Sequence, residues 1–141
     1  MQGAVRIAGI TSGLAFRSTG RDHCLVTRDS LEPGLYAELV TNRLGGGGLY
    51  LFDEPEAGLS PTRQLAFLAA MHQLVQRGSQ LVLATHSPIL LAYPDACIYE
   101  LAHGAIVARA YEDTDHYRIT ADFFAHRATM LTELLSDDES R

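Results

Sequence analysis

Two short apolar runs in this sequence each end in polar residues of types that can do chemistry. Residues 49–52 are followed by Asp53 and Glu54, and residues 81–84 by Thr85 and His86. A strand-end aspartate can hold a magnesium ion, because hard cations prefer oxygen ligands. An adjacent glutamate can act as a general base on an attacking water, and a histidine can hydrogen-bond a phosphate oxygen. Residue pairs such as Asp-Glu or Thr-His are also common at solvated turns. A functional site therefore requires that the two strand ends lie close together in space.

The segment between the two runs predicts a helix that brings them together. Ser60 is a good N-cap, and Pro61 suits the first helical position. Apolar residues then recur at helical spacing from Leu65 to Val75, until Gly78 ends the pattern. Strand, helix and strand with short connections make a βαβ unit, so the two strands are expected to be parallel.

Parallel neighbours end at one rim of a sheet, which is where ligands bind in such folds. This geometry predicts that Asp53, Glu54 and His86 converge, although they are far apart in the sequence. Both runs are continuously apolar, as is typical of strands buried on both faces. Glu56 follows Pro55 and is expected to point away from this rim.

The pattern of these segments resembles a known family. Residues 49–61 (LYLFDEPEAGLSP) resemble the Walker B and D-loop of the non-transporter ABC-type ATPases, and residues 84–88 (ATHSP) resemble their switch-histidine segment. The resemblance extends over about residues 42–125, which is the C-terminal half of such an ATPase domain. It implies an α/β fold, a partial P-loop NTPase-like three-layer sandwich with a C-terminal β-hairpin and helix.

The resemblance also implies ligands and roles for individual residues. ATP and Mg²⁺ would be bound, with Asp53 as the magnesium aspartate, Glu54 as the catalytic glutamate and His86 as the γ-phosphate sensor. The D-loop, which crosses to the partner subunit in the closed dimer of the family, would consist of Gly58, Leu59 and Ser60.

Two phosphate-binding elements of the family are missing from this sequence. All 11 basic residues are arginine, so the P-loop motif G-x-x-x-x-G-K-[ST] cannot be present. Residues 13–20 resemble it only superficially, although Arg17 or Arg21 could supply positive charge. Residues 30–34 (SLEPG) stand where the signature segment is expected. We therefore expect a truncated, divergent or frameshifted ATPase, in which the slot of the P-loop strand is filled by residues 5–10 or 23–26.

The sequence divides into three parts. Residues 1–44 form an atypical N-terminal segment with a helix at about 31–44, and a run of four glycines follows. By the resemblance, residues 45–110 would form the C-terminal core of the ATPase domain, ending in two strands that are predicted to join at His103 and Gly104 as a hairpin. Residues 111–141 form a C-terminal helical segment, with a helix within 117–135, and an acidic tail.

Composition restricts the location and the partners. The net charge of −6 argues against non-specific binding to nucleic acid, and no apolar run is long enough to cross a bilayer. A cytoplasmic protein is expected. Cys24 and Cys97 form no metal-binding pair, and Cys97 is expected to be a buried thiol in a strand.

Three functions remain open at this stage. The first is ATP binding and hydrolysis in a closed dimer, either a homodimer or a dimer with a complete homologue. The second is a protein that keeps the fold without hydrolysis and acts as a binding or regulatory partner, because no P-loop lysine is present. The third is a magnesium-dependent phosphohydrolase or nuclease using Asp53 and Glu54, which is the weakest because such sites usually gather more carboxylates.

Overall fold

Short extended segments form one mixed sheet in the computed structural model, which describes residues 5–9, 23–26, 44–102 and 105–136. The described strands are β1 (Val5–Gly9), β2 (His23–Val26), β3 (Leu49–Asp53), β4 (Gln80–Ala84), β5 (Cys97–Ala102) and β6 (Ala105–Arg109). Their spatial order is β2-β3-β4-β1-β5-β6. Every neighbouring pair is parallel except β5 and β6, which form an antiparallel hairpin. The predicted α/β class, with parallel core strands and a C-terminal hairpin, is confirmed.

Strand β1 fills the position between β4 and β5. Its residue Ile7 pairs with Leu83 on one side and with Ile98 on the other. Of the two segments predicted for this slot, the first (residues 5–10) supplies the strand through Val5–Gly9, whereas residues 23–26 pair with β3 at the edge of the sheet. Both inner edges of the sheet are therefore hydrogen-bonded.

Helix α1 (Pro61–Gln76) connects β3 to β4 and begins where the sequence predicts. The Ser60 hydroxyl accepts a hydrogen bond from the Arg63 N–H at 3.4 Å, which satisfies one free donor of the first turn. After the helix, Gly78 has a φ of 82°, a left-handed conformation that glycine adopts without strain. The following one-turn helix α2 (Pro88–Leu91) starts with the same serine and proline arrangement.

The hydrophobic core lies between α1 and one face of the sheet. Phe67 of α1 is fully buried and meets Phe52 of β3 edge-on, with ring centroids 5.3 Å apart. Burial alternates along both central strands, with Tyr50 and Phe52 buried in β3 and Leu81 and Leu83 buried in β4. Of the burial predicted for both faces, the structure shows full burial on the face that α1 covers, whereas Leu51 and Val82 on the opposite face are half-buried.

The chain after the hairpin forms a 3₁₀ turn (Tyr111–Asp113) and the long helix α3 (Asp115–Ser136), which confirms the helix predicted within residues 117–135. Helix α3 bends at His126, where φ is −123° and ψ is 27°. None of its residues is buried, and Phe124 is 74% exposed. Among the described residues no helix has the length and apolar character to span a membrane.

Some expectations fall outside the described residues, namely the helix at 31–44, the turn at His103 and Gly104, and the acidic tail from residue 137. The division into three parts stays a prediction. The expectation of a buried Cys97 was wrong. It is exposed at the first position of β5, where the next residue, Ile98, occupies the buried face instead.

Candidate functional site

The two acidic residues lie where β3 leaves the sheet. Asp53 is the last residue of β3, and its Cα partner is Ala84 at the end of β4. The Glu54 N–H donates to the Ala84 carbonyl oxygen at 2.8 Å, which extends the pairing by one residue. Glu54 has a φ of 45°, in the left-handed region that non-glycine residues rarely adopt. Such conformations cost about 1–3 kcal/mol and cluster at functional sites, where surrounding structure holds them in place.

His86 reaches the same rim from β4. Its Nε2 atom lies 3.8 Å from Oε1 of Glu54, and the two side chains are 42% and 44% exposed. Both side chains are therefore accessible to solvent. The predicted convergence of the strand ends is confirmed, because parallel pairing of β3 with β4 places Asp53, Glu54 and His86 together.

Glu56 ties the segment after β3 to the segment after β4. Its Oε2 atom accepts a hydrogen bond from the Thr85 hydroxyl at 2.6 Å, and its Oε1 atom accepts one from the His86 N–H at 2.7 Å. The expectation that Glu56 points away was wrong. Thr85 is 1% exposed, so its hydroxyl needs a partner within the protein, and the carboxylate supplies one.

Gln64 of α1 forms a second bridge between the same two segments. Its Nε2 donates to the Leu59 carbonyl oxygen at 3.1 Å, and its Oε1 accepts from the Ser87 hydroxyl at 2.6 Å. The Ser87 oxygen in turn accepts from the N–H groups of Ile89 and Leu90, which caps α2. The two bridges hold the ends of β3 and β4 in one relative position.

The three residues of the predicted D-loop have different surroundings. Gly58 is exposed with a φ of 76°, a turn conformation suited to glycine. Leu59 is buried in the core, and the hydroxyl of Ser60 caps α1. Leu59 and Ser60 therefore have roles within this chain, and their contact with a partner subunit stays a prediction.

A second histidine lies behind His86. His116, in the first turn of α3, places its Nε2 atom 3.2 Å from Nδ1 of His86, and the ring centroids are 5.4 Å apart. Glu54 and His116 thus contact opposite nitrogens of one imidazole. The start of α3 is fixed nearby by Tyr111, whose hydroxyl donates to the Pro88 carbonyl oxygen at 2.9 Å. Burial raises the pKa of Tyr111 above its usual 10.0, so the phenol keeps its proton at neutral pH.

The rim fits a magnesium ion that arrives with a phosphate ligand better than an ion held by protein alone. No cluster of three or more His, Cys, Asp or Glu side chains suited to a metal occurs in the described part of the chain. Mg²⁺ usually keeps several waters and is held by one or two carboxylates together with substrate phosphates. The carboxylate of Asp53 at the end of β3 is suited to that role.

Comparisons with known proteins support the general class of this domain. Residues 28–92 match the family described as "AAA domain, putative AbiEii toxin, Type IV TA system". The matched range contains Asp53, Glu54 and His86. It supports a nucleotide-binding ATPase domain of the P-loop NTPase type for this part of the chain.

Two individual proteins are similar over parts of the chain. Over 91 residues, 63% of this chain, the sequence is 33% identical to "Protein ea59" of Escherichia phage lambda, and the match covers 16% of that protein. The crystal structure of UvrA2 from Deinococcus radiodurans matches 39% of this chain and 7% of its own, with 27% identity and a TM-score of 0.35. The matched regions make up a small part of the length of either protein.

Sequence reasoning missed three residues of the site, namely Glu56, Gln64 and His116. Glu56 stands in a motif that was identified, but nothing in its spacing shows that its carboxylate reaches β4. Gln64 lies on α1, where a polar residue near an apolar face is ordinary. His116 lies two residues after Thr114, which is a good helix cap. This cap indicates that His116 lies in the first turn of a helix, but not that the helix packs near His86.

Proposed function

We propose that this chain forms the Walker B, D-loop and switch-histidine part of an ATP-hydrolysing site. The observation that carries the proposal is the approach of Glu54 to His86 across two parallel strands, at 3.8 Å, on a solvent-open rim. The family match to an AAA domain supports the same reaction class. Hydrolysis would be completed in a closed dimer, with a second copy or with a homologue that contains a P-loop.

The residues would divide the work by position. Glu54 would accept a proton from the attacking water, a role that contributes about 10²–10⁴-fold in rate. His86 would donate a hydrogen bond to the γ-phosphate or to the same water. Asp53 would hold Mg²⁺, which offsets charge on the phosphates when bound. Glu56 and Gln64 would keep the two strand ends at a fixed separation through their hydrogen bonds.

The test is steady-state ATP hydrolysis with Mg²⁺ by the chain alone and mixed with a P-loop-containing homologue. Glu54→Gln keeps the size of the side chain and removes the base, so we expect turnover to fall about 10²–10³-fold with ATP binding retained. Glu133→Gln, an exposed position on α3, is the matched control and should leave turnover unchanged. Equal loss of binding and turnover in Glu54→Gln would contradict the assigned role.

A second candidate function is favoured by one observation, which is that the sequence contains no lysine. In this case the chain would bind a complete homologue through the exposed D-loop turn at Gly58 and hydrolyse nothing itself. Isothermal titration separates the two candidates. Magnesium-dependent ATP binding favours the first, whereas homologue binding without any ATP binding favours the second.

The third candidate, a magnesium-dependent nuclease, gains no support from the site. Both oxygens of the Glu56 carboxylate are engaged by Thr85 and His86, so Glu56 does not add a further carboxylate for a metal ion at this rim. Nuclease activity that is indifferent to ATP and is lost in Asp53→Ala would revive this candidate.

A further inference from the structure

His116 and His86 lie within hydrogen-bond distance, so the position of the proton on one ring depends on its position on the other. A neutral imidazole has one N–H donor and one acceptor nitrogen, so a hydrogen bond between two imidazoles needs a donor on one ring and an acceptor on the other. The two atoms, Nε2 of His116 and Nδ1 of His86, are 3.2 Å apart. Two assignments are possible, and the surroundings of the outer nitrogens distinguish them.

The surroundings of His86 favour a proton on its Nε2 atom. That atom faces Oε1 of Glu54 at 3.8 Å. With the proton on Nε2, an N–H group points towards the carboxylate, which is favourable. With the proton on Nδ1, the Nε2 lone pair would face the carboxylate oxygen, which is unfavourable because both are electron-rich.

The surroundings of His116 favour the same arrangement. Its Nδ1 atom is buried and has no hydrogen-bond partner in the part of the chain that the structure describes. If His86 donated the shared proton, His116 would carry its own proton on Nδ1 and bury an N–H donor without an acceptor, and orphaned buried N–H groups are rarer than under-satisfied acceptors. If His116 donates from Nε2, its buried Nδ1 carries no proton.

The backbone around His116 is fixed by contacts independent of His86. Thr114 is fully buried, and its hydroxyl accepts from the Tyr117 N–H at 3.3 Å, which caps α3. The Asp115 N–H donates to Glu100 at 3.0 Å, and the carboxylate of Glu100 also contacts Arg109 at 3.3 Å. His116 therefore starts from a rigid helix end rather than from a mobile loop.

We propose that His116 is a positioning residue that donates from Nε2 to Nδ1 of His86 and so holds His86 as its Nε2–H tautomer. This tautomer presents an N–H to the rim, where a phosphate oxygen or a water can accept it. The value of the tautomer for catalysis rests on the proposed ATP-hydrolysing function, whereas the tautomer itself does not. Orientation of a working imidazole by a partner on its other nitrogen is a general device in proteins.

The direct test is side-chain ¹⁵N NMR of the full chain at a pH of about 8.5, roughly two units above the usual imidazole pKa. We expect the shared proton to show its one-bond coupling to Nε2 of His116, and the second proton of the pair to lie on Nε2 of His86. A shared proton that is coupled to Nδ1 of His86 would overturn the proposal.

Variants at His116 make the test independent of the first spectrum. In His116→Phe the donor is lost, so the ¹⁵N shifts of His86 should move towards the values of exchanging tautomers. His116→Gln keeps an N–H donor near the same place and should preserve the single tautomer. His126→Phe, which changes an exposed histidine of the same helix, is the matched control. Unchanged His86 shifts in His116→Phe, with a folded backbone spectrum, would also refute the idea.

The catalytic consequence is measured separately. In an assembly that hydrolyses ATP, we expect kcat to fall about tenfold in His116→Phe with little change in KM, and to recover in His116→Gln, because the lost effect is on orientation rather than on binding. An unchanged kcat in His116→Phe would remove the catalytic part of the proposal. If no assembly hydrolyses ATP while the NMR result holds, the proposed function fails and the tautomer assignment stands.

Discussion

The hydrogen bond between Thr85 and Glu56 gives the sharpest quantitative prediction, because it joins the two strand ends that carry the site. The Thr85 hydroxyl is buried and donates to a charged oxygen at 2.6 Å, and the same carboxylate accepts the His86 N–H at 2.7 Å. Glu56→Ala removes both acceptors at once. The buried hydroxyl is then left without this partner.

The size of the effect follows from these contacts. A hydrogen bond to a charged group contributes about 1.5–3 kcal/mol, and leaving a buried donor unsatisfied costs about 1–3 kcal/mol. Glu56 is half-buried and the bond to His86 is exposed, so the lower end of the range applies. We expect Glu56→Ala to lower the free energy of unfolding by about 2–3 kcal/mol, a large fraction of the roughly 5–15 kcal/mol typical of a domain.

A double-mutant cycle isolates the single bond. Urea unfolding is followed by circular dichroism, since the chain contains no tryptophan. Thr85→Val should cost about 1–2 kcal/mol, and the double variant with Glu56→Ala should be more stable than the sum predicts by about 1.5 kcal/mol. Thr85→Ser keeps the hydroxyl and should retain most of the coupling. Glu133→Ala, an exposed change on α3, should stay within about 0.5 kcal/mol of the original chain.

A coupling energy below about 0.5 kcal/mol would mean that the two side chains do not interact in solution. The connection between the strand ends would then have to be assigned to the bond from the His86 N–H to Glu56 and to the two bonds of Gln64. Loss of coupling in Thr85→Ser would point instead to the methyl group of Thr85 as the source of the effect.

The remaining predictions concern the core, the strained residue and alkaline pH. Phe67→Ala should lower the free energy of unfolding by about 3–5 kcal/mol, whereas Phe124→Ala, 74% exposed on α3, should change it by less than about 0.5 kcal/mol in the same urea experiment. Because Glu54 has a φ of 45°, Glu54→Gly should be about 1 kcal/mol more stable than Glu54→Ala, and the reverse order would show that the backbone is not strained there. The pKa of Tyr111 is raised by burial, so its stabilising effect is full below the unfolded value of 10.0 and is lost as pH rises through the higher folded value. Stability measured above pH 10.0 should therefore fall less steeply in Tyr111→Phe than in the original chain.

Much of the fold could be predicted because its signals are local. The serine and proline before each of α1 and α2, and the apolar runs of β3 and β4, fix the βαβ unit, and parallel strand ends then bring Glu54 close to His86. The role of residues 5–10 as a central strand could be predicted only as a choice between two segments. Strand pairing over long sequence separations leaves little trace in either segment.

The connections within the site could not be predicted, because they depend on side-chain directions after the strands end. The positive φ of Glu54 changes the course of the chain, so that Glu56 turns back to Thr85 instead of pointing away. The sequence predicts a helix within residues 117–135, next to His116, but gives no information on how α3 packs against the rim. Such contacts between elements are specified by packing rather than by local propensity.

The position of β1 also bears on how the chain folds. Val5 pairs with Leu81 and Arg6 with Cys97, so β1 lies between two strands that are synthesised much later than it is. Pairings that are distant along the chain form slowly, because closing a long loop costs entropy before any contact is gained. Until these pairings form, the edge of β4 and the edge of β5 that bind β1 are open to pairing with other chains. We expect completion of the sheet, rather than formation of α1, to limit the folding rate, and expression at low temperature or with a chaperone to improve the soluble yield.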